Sequence, residues 1–260
     1  MALIRVEDIF VAYGTPSRAV LAGIDLEIEE GSFVCVLGQT GCGKSTLLRL
    51  VLGCEQAMRG RILIDEKEHP RPDPSRGYVP QKYSLFPDKT VLDNITFGPE
   101  VSEFGLFGRL TPAFFRRRRQ LRDEAYDYIR RIGLREGDAA KYPHQLSGGM
   151  QQRVAIAQAL IMRPRILLMD EAFSALDSGT RRDMQQLVRT LWAETKTTVM
   201  FVTHNIDEAL RLGTRVVVLA KDGPDAGSRV AMDLAVPDPC KEEEIPELMR
   251  RLEDGVLQAG

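Results

Sequence analysis

No stretch of this sequence approaches the run of about 18 apolar residues that a bilayer-spanning helix requires, so the chain is not expected to cross a membrane on its own. Charge of one sign is also scarce. Thirty-five Lys and Arg stand against 37 Asp and Glu, a net charge of −2, and nothing global points to a nucleic-acid partner. The four cysteines are scattered, with no C-x-x-C spacing, which reads as free thiols in a reducing cytoplasm. The first residues lack a signal-peptide pattern, and no internal repeat is visible. What is present is the composition of a soluble globular protein: 260 residues, 43% hydrophobic and 28% charged, enough chain to bury a large core.

One stretch organises the rest. Gly38-Gln39-Thr40-Gly41-Cys42-Gly43-Lys44-Ser45-Thr46 fits the pattern G-x-x-x-x-G-K-[ST] in full. The unbroken apolar run 33–37 before it suits a strand buried on both faces of a parallel sheet, and 47–52 after it reads as a helix ended by Gly53. The glycines let backbone wrap closely round phosphates, and the helix N-terminus aims N–H groups at them. Lys44 is expected to reach the β- and γ-phosphates of ATP, and the Ser45 hydroxyl to ligate Mg²⁺. Because Cys42 lies inside the loop, a bulky thiol reagent there is expected to block nucleotide.

Residues 3–13 and 20–29 alternate apolar and polar side chains, as half-buried strands do. Residues 14–17 form a turn between them, 60–65 another strand, 70–74 a proline-rich loop, and 78–79 a short strand leading to Gln81. From 90 to 162 the texture becomes helical. Residues 98–111 show no clear period, Arg116 to Arg119 open a helix through Ile132, and a long helix follows Ser147 to end near Met162. Buried-strand texture returns at 166–169, 198–203 and 215–219, with helices over 179–194 and 206–212 between them. That alternation predicts a parallel α/β sheet. Residues 241–258 read as one amphipathic tail helix.

Asp170 and Glu171 end an apolar strand, which would place them at the carboxyl edge facing the phosphate loop. An Asp there can hold Mg²⁺ and the adjacent Glu can polarise an attacking water. His204 also follows an apolar strand, where it either contacts a γ-phosphate or merely caps the core edge. Gln81 either ligates metal or orients water, or is an ordinary surface amide. Tyr13, at a strand–turn junction, either stacks on a base or packs as strand residues do. Ser147 is a good N-cap, and Gly148 and Gly149 expose the first N–H groups of a helix, a second anion site with no lysine and no metal ligand. One equipped site and one bare site suggest sharing between two copies placed head to tail.

The stretch from Leu146 to Arg153 closely resembles the signature of ATP-binding cassette (ABC) proteins. Phosphate loop, signature, the 166–171 strand with its acids, residues 174–177 and His204 also fall in that family's order. The resemblance implies a P-loop NTPase (RecA-like) α/β core with an N-terminal antiparallel β subdomain and an inserted α-helical subdomain. It implies one nucleotide-binding domain over 1–260: core at 1–89 and 165–230, helical subdomain at 90–164, tail helix at 231–260. It makes Tyr13 the adenine-stacking aromatic, Gln81 the hinge glutamine near a membrane partner, Glu171 the general base, His204 the switch histidine, and residues 174–177 a loop crossing the dimer interface. The implied activity is ATP hydrolysis with Mg²⁺, driving a transporter. The implied partners are a second copy in an ATP-sandwich dimer, membrane permease subunits at the inner face of the cell membrane and, indirectly, a solute-binding protein. Ala172 departs from the proline that often follows the glutamate in importers of this type, with no expected loss of activity.

Residues 81–87 and 201–209 resemble the nitrate/sulfonate/taurine group of bacterial importers. The 98–122 stretch is longer than that group usually carries, and a urea-like nitrogen compound is an alternative cargo. Two other readings fit less well. A nucleic-acid or ribosome-acting ABC ATPase would usually carry two cassettes or a long coiled coil, and a degenerate nucleotide binder would not retain Lys44, Asp170, Glu171 and His204 together. Arg116 to Arg119 form either a solvated face or a contact for anionic lipid headgroups.

Overall fold

The computed structural model describes residues 2–14, 18–82, 84–104, 111–221, 223, 226–238, 240 and 243–257, with 254–257 described by backbone alone. The chain divides into two compact units, Met1–Asp73 with Leu168–Glu171 and Leu191–Gly260, and Pro74–Leu167 with Ala172–Thr190.

In the first unit, two sequence textures give two kinds of strand. β1 (Ala2–Tyr13) and β2 (Arg18–Glu29) alternate buried and open positions and pair antiparallel, Val6 opposite Leu26 and Val11 opposite Leu21. β4 (Arg59–Ile64) pairs antiparallel with β1, and the short β5 (Lys67–Glu68) with β4. By contrast β3 (Phe33–Leu37), β7 (Ile166–Asp170) and β8 (Thr198–Thr203) are buried at every position, as strands covered on both faces must be. β3 lies parallel to β8 on one side and to β9 (Arg215–Lys221) on the other. β10 (Ser228–Ala235) runs antiparallel to β9 and touches β2 in parallel at Ser228 and Leu21. The order is thus β5-β4-β1-β2-β10-β9-β3-β8-β7. Phe33 packs edge-on against Trp192 and Phe201, with centroids 5.9 and 6.4 Å apart.

β10 has no counterpart in the sequence reading. Its short alternation, RVAMDLA, sits beside a polar turn and is stabilised by β9, a long-range partner that a local pattern does not reveal. The tail helix is α7 (Ile245–Leu257). It buries Ile245, Leu248 and Leu252 and lies against α6 (Ile206–Leu212), β9 and β10, so it packs on its own unit.

In the second unit, β6 (Arg76–Val79) is joined to the start of β7 by the Ile166 amide donating to the Ser75 carbonyl at 3.1 Å. α2 (Val91–Glu103), α3 (Pro112–Arg131) and α4 (Gly148–Leu160) enclose Leu92, Ile95, Ala125, Ile129, Val154 and Ala157. Asn94 is fully buried and saturated. It accepts from the Phe86 amide at 2.8 Å, and its own amide lies 3.0–3.1 Å from the carbonyls of Phe86, Lys89 and Thr90.

Two boundaries differ from expectation. α2 continues through Gly98 and Pro99 to Glu103, where the sequence showed no period. Gly98 lies so close to Met162 that an added Cβ would stand 3.0 Å from its Sδ, and this packing offsets the poor helix propensity of Gly and Pro. α3 begins at Pro112 rather than at Arg116. Thr111 caps it, its Oγ1 accepting from the Phe114 amide at 3.3 Å, and proline occupies the first turn. Part of the 14–17 turn and residues 105–110 lie outside the described residues. The arginine run is not uniformly solvated. Arg117 grips Glu103 through two 2.8 Å hydrogen bonds and Glu124 through one of 2.9 Å, while Arg118 donates to Glu100 at 3.0 Å. These bonds hold the Arg117 guanidinium above its already high ordinary pKa.

Candidate nucleotide-binding and catalytic site

The loop between β3 and α1 (Lys44–Leu52) is shaped by three glycines in different ways. A Cβ on Gly38 would lie 2.5 Å from both the Leu219 carbonyl and Cys42 Sγ, so the loop can follow this path only without a side chain. Gly43 has φ +95°, and a Cβ there would meet Leu21 Cδ2 at 2.6 Å and Val20 Cγ1 at 2.9 Å. Gly41 also has positive φ, +79°, but nothing lies within 4 Å of its Cβ position; this is the open side of the loop. No side chain caps α1, so its first turn keeps N–H groups for an anion.

Lys44 is 4% exposed, and its Nζ donates to the Gly38 and Gln39 carbonyls at 2.8 and 2.9 Å. The ammonium is thus held inside the loop by oxygens of the segment that a phosphate chain would line. Thr46 is buried and Gln39 and Thr40 are exposed. Cys42 lies in the loop, as expected, but faces inward. Its thiol is buried against Gly38 rather than presented to the loop's open side, and burial pushes its pKa up, with Lys44 opposing. A thiol reagent should therefore find it poorly reactive.

The Ser45 hydroxyl donates to Asp170 Oδ1 at 2.9 Å. Burial pushes Asp170 above the ordinary carboxylate range; the Ser45 hydrogen bond opposes this and the Glu171 charge adds to it. Two hard oxygens this close, one of them a carboxylate short of compensating charge, fit a hydrated Mg²⁺ shared with phosphates. Among the described residues no group of three His, Cys, Asp or Glu could hold a metal by itself.

Glu171 leaves β7 in the left-handed region, φ +43°, while its amide donates to the Val202 carbonyl at 2.9 Å. That turn brings its Oε1 to 3.4 Å from His204 Nδ1. The residues on both sides of His204 form a device the sequence reading did not identify. Thr203 Oγ1 donates to the buried Glu208 carboxylate at 2.6 Å and accepts from the Asn205 amide at 3.1 Å, while Asn205 Oδ1 accepts from the Glu208 amide at 3.2 Å and caps α6. The available signal was Asn205 three residues before Glu208, an N-cap spacing. Tyr13 ends β1 opposite Arg18 with its ring 45% exposed.

The first unit therefore brings together Lys44, Ser45, Asp170, Glu171 and His204. Tyr13 belongs to the same unit, and Gln81, Ser147, Gly148, Gly149 and residues 174–177 lie in the second. Gln81 is exposed, with its amide 3.5 Å from Ser174 Oγ. Ser147 caps α4, its Oγ accepting from the Met150 amide at 3.3 Å. Gly148 is half-buried, and Gly149 lies so close to Thr180 that a Cβ would stand 2.6 Å from its Cγ2. Gln151 donates to the Pro143 and Leu146 carbonyls at 3.1 and 3.2 Å and so holds the loop before the cap, while Arg153 donates to the Ile132 carbonyl at the end of α3 at 2.7 Å. Asp177 accepts from the Thr180 amide at 3.1 Å, and that bond lowers its pKa.

Comparison with known proteins gives three findings. The ABC transporter family model matches residues 21–174. The chain is 38% identical to the bicarbonate transport ATP-binding protein CmpD of Synechococcus elongatus, over 93% of this chain and 84% of that one. It is also 38% identical to the aliphatic sulfonates import ATP-binding protein SsuB of Bacillus cereus, over 80% and 77%. Among solved structures, the dimeric ATP-binding cassette MJ0796 in a post-hydrolysis state bound to ADP and Pi aligns with a TM-score of 0.74 at 30% identity, covering 90% of this chain and 99% of that one.

Proposed function

The chain belongs to the ABC transporter family, and from that premise we propose that it is the ATP-hydrolysing subunit of an importer of a small polar or anionic solute. Relatives named for bicarbonate and sulfonates support import and leave the solute to the permease and binding protein. ATP would lie along the open side of the phosphate loop, with Lys44 and the first turn of α1 on its β- and γ-phosphates. Ser45 and Asp170 would hold the accompanying Mg²⁺, which neutralises developing charge when bound. Glu171 would take the proton of the attacking water, with His204 beside it to meet the γ-phosphate. Tyr13 would stack on adenine.

Ser147, Gly148 and Gly149 present a capped helix start and no lysine, so they would complete the cage round the γ-phosphate bound by a second copy. The dimeric state of a solved cassette similar to this chain supports assembly of two copies. ATP would then join two copies and hydrolysis release them, and the difference in affinity between those states would do the work. Gln81 and the helical segment would pass the motion to permease subunits at the inner face of the membrane. No helix among the described residues is long and apolar enough to cross one, so such attachment would be peripheral.

The observation that carries this reading is the joint placement of Ser45 with Asp170 and of Glu171 with His204. The test is Glu171→Gln, which keeps size and removes basicity. Hydrolysis should fall by roughly 10²-fold or more while ATP-dependent dimers accumulate in gel filtration. Unchanged turnover would remove Glu171 from its role.

A further inference from the structure

The arginine run on α3 separates into two pairs. Arg117 and Arg118 are taken up by Glu103, Glu124 and Glu100. Arg116 and Arg119 are exposed and make no hydrogen bond or ion pair with the described residues. Beside them in helical projection, with Arg119 next to it and Arg116 beyond, stands Phe115, 61% exposed although aromatic. At about 100° per residue the three side chains fall within an arc of about 100°. Phe115 is braced from behind, its ring edge-on to buried Phe114 at 5.6 Å, which in turn meets Phe104 at 5.3 Å. Further along the same exposed stripe the character changes: Asp123 is exposed, and Asp127 is already paired with Arg130. The basic and aromatic face therefore occupies only the first two turns of α3.

An exposed aromatic ring beside two unpaired guanidiniums, at the start of a helix, matches the anionic headgroup layer of a membrane. The ring can enter the acyl boundary while the guanidiniums bind phosphates bidentately. We infer that the first two turns of α3 dock on anionic lipid through Phe115, Arg116 and Arg119. This rests on the proposed function only in expecting a membrane nearby; vesicle binding is read without nucleotide or permease, so its failure leaves the hydrolysis assignment untouched. A nucleic acid fits less well, because the patch is small and the chain carries net charge −2.

The experiment uses the full-length chain and sedimentation with vesicles of phosphatidylcholine alone or mixed equally with phosphatidylglycerol. Binding should require phosphatidylglycerol and weaken with salt. It should fall about 30-fold in R116E/R119E and about tenfold in F115S. A K67E/R250E control with the same charge change elsewhere should bind as the wild type does, and ATPase turnover in solution should be unaffected in all of them. R116Q/R119Q should lose affinity in the same direction and covers the case in which charge reversal disturbs folding. Wild-type binding retained in both double arginine variants would overturn the inference. So would a wild-type chain that ignores anionic vesicles, whether or not it retains single-stranded RNA.

Discussion

Glu171 and His204 meet, Oε1 to Nδ1, at 3.4 Å across the ends of β7 and β8, and they do so because Glu171 adopts φ +43°. A residue other than glycine costs about 1 kcal/mol in that region, and the Glu171 amide bonded to Val202 holds it there. Glycine at this position should relieve the cost and alanine should not. Glu171→Gly is expected to unfold at higher urea than Glu171→Ala by about 1 kcal/mol, with both inactive. A more stable alanine variant would show that the turn is unstrained.

Asp170 gives a dependence on pH with a definite sign. Its pKa is raised by burial, so the folded chain holds this proton more tightly than the unfolded chain does. As pH climbs from the ordinary value near 3.8 through the raised folded value, the nucleotide-free protein loses stability at this site. Asp170→Asn should therefore be more stable than the wild type at neutral pH, by a margin that shrinks toward pH 4. Adding Mg²⁺ and ATP should reverse the order, because only the wild type gains binding energy from the metal. Thermal midpoints at several pH values, with and without Mg·ATP, decide it.

The phosphate loop was legible in full from its residues, and so were the strand ends carrying Asp170, Glu171 and His204. A two-sided buried strand announces itself as an unbroken apolar run, and residues at its carboxyl end are placed by the fold. What stayed hidden depends on distant partners. β10 exists because β9 is there to pair with it, and α2 runs through Gly98 with Met162 packed against that glycine. The direction of the Cys42 thiol was hidden too, since it packs in the space that the absent side chain of Gly38 leaves. The arginine run misled as a block, because sequence cannot say which guanidiniums find carboxylates on the neighbouring helix.

Gly38 and Gly41 separate folding from binding. A methyl on Gly38 collides with a backbone carbonyl and a buried sulfur, so Gly38→Ala should cost about 1–3 kcal/mol from overpacking and weaken ATP binding only as a consequence. A methyl on Gly41 meets nothing in the chain. Gly41→Ala should cost about 1 kcal/mol from its positive φ yet lose ATP affinity at temperatures where it is fully folded. Calorimetric binding beside urea unfolding distinguishes the two; equal losses in both would mean that the open side of the loop is not where phosphate lies.

Ser147 has a local role, capping α4, and a proposed role across a dimer. Aspartate caps as well as serine does, so Ser147→Asp should leave stability within about 0.5 kcal/mol. Its carboxylate would face the γ-phosphate of the opposing nucleotide, and like charges repel. ATP-dependent dimers of Glu171→Gln should vanish when Ser147→Asp is added, while each monomer still binds ATP. Persistence of those dimers would confine Ser147 to capping.

Glu208 positions rather than reacts. Its buried carboxylate accepts from Thr203 and its amide donates to Asn205, so the two neighbours of His204 are fixed from one residue. Glu208→Ala leaves the Thr203 hydroxyl without its acceptor inside the protein and frees the His204 turn. The expected result is kcat lower by about tenfold with KM for ATP nearly unchanged, because only an interaction needed in the transition state is loosened. Glu208→Gln retains an acceptor oxygen for Thr203 and should recover most of the rate. If glutamine failed as badly as alanine, the negative charge rather than the hydrogen bond would be what matters. If KM rose while kcat held, Glu208 would be supporting nucleotide binding instead of the histidine.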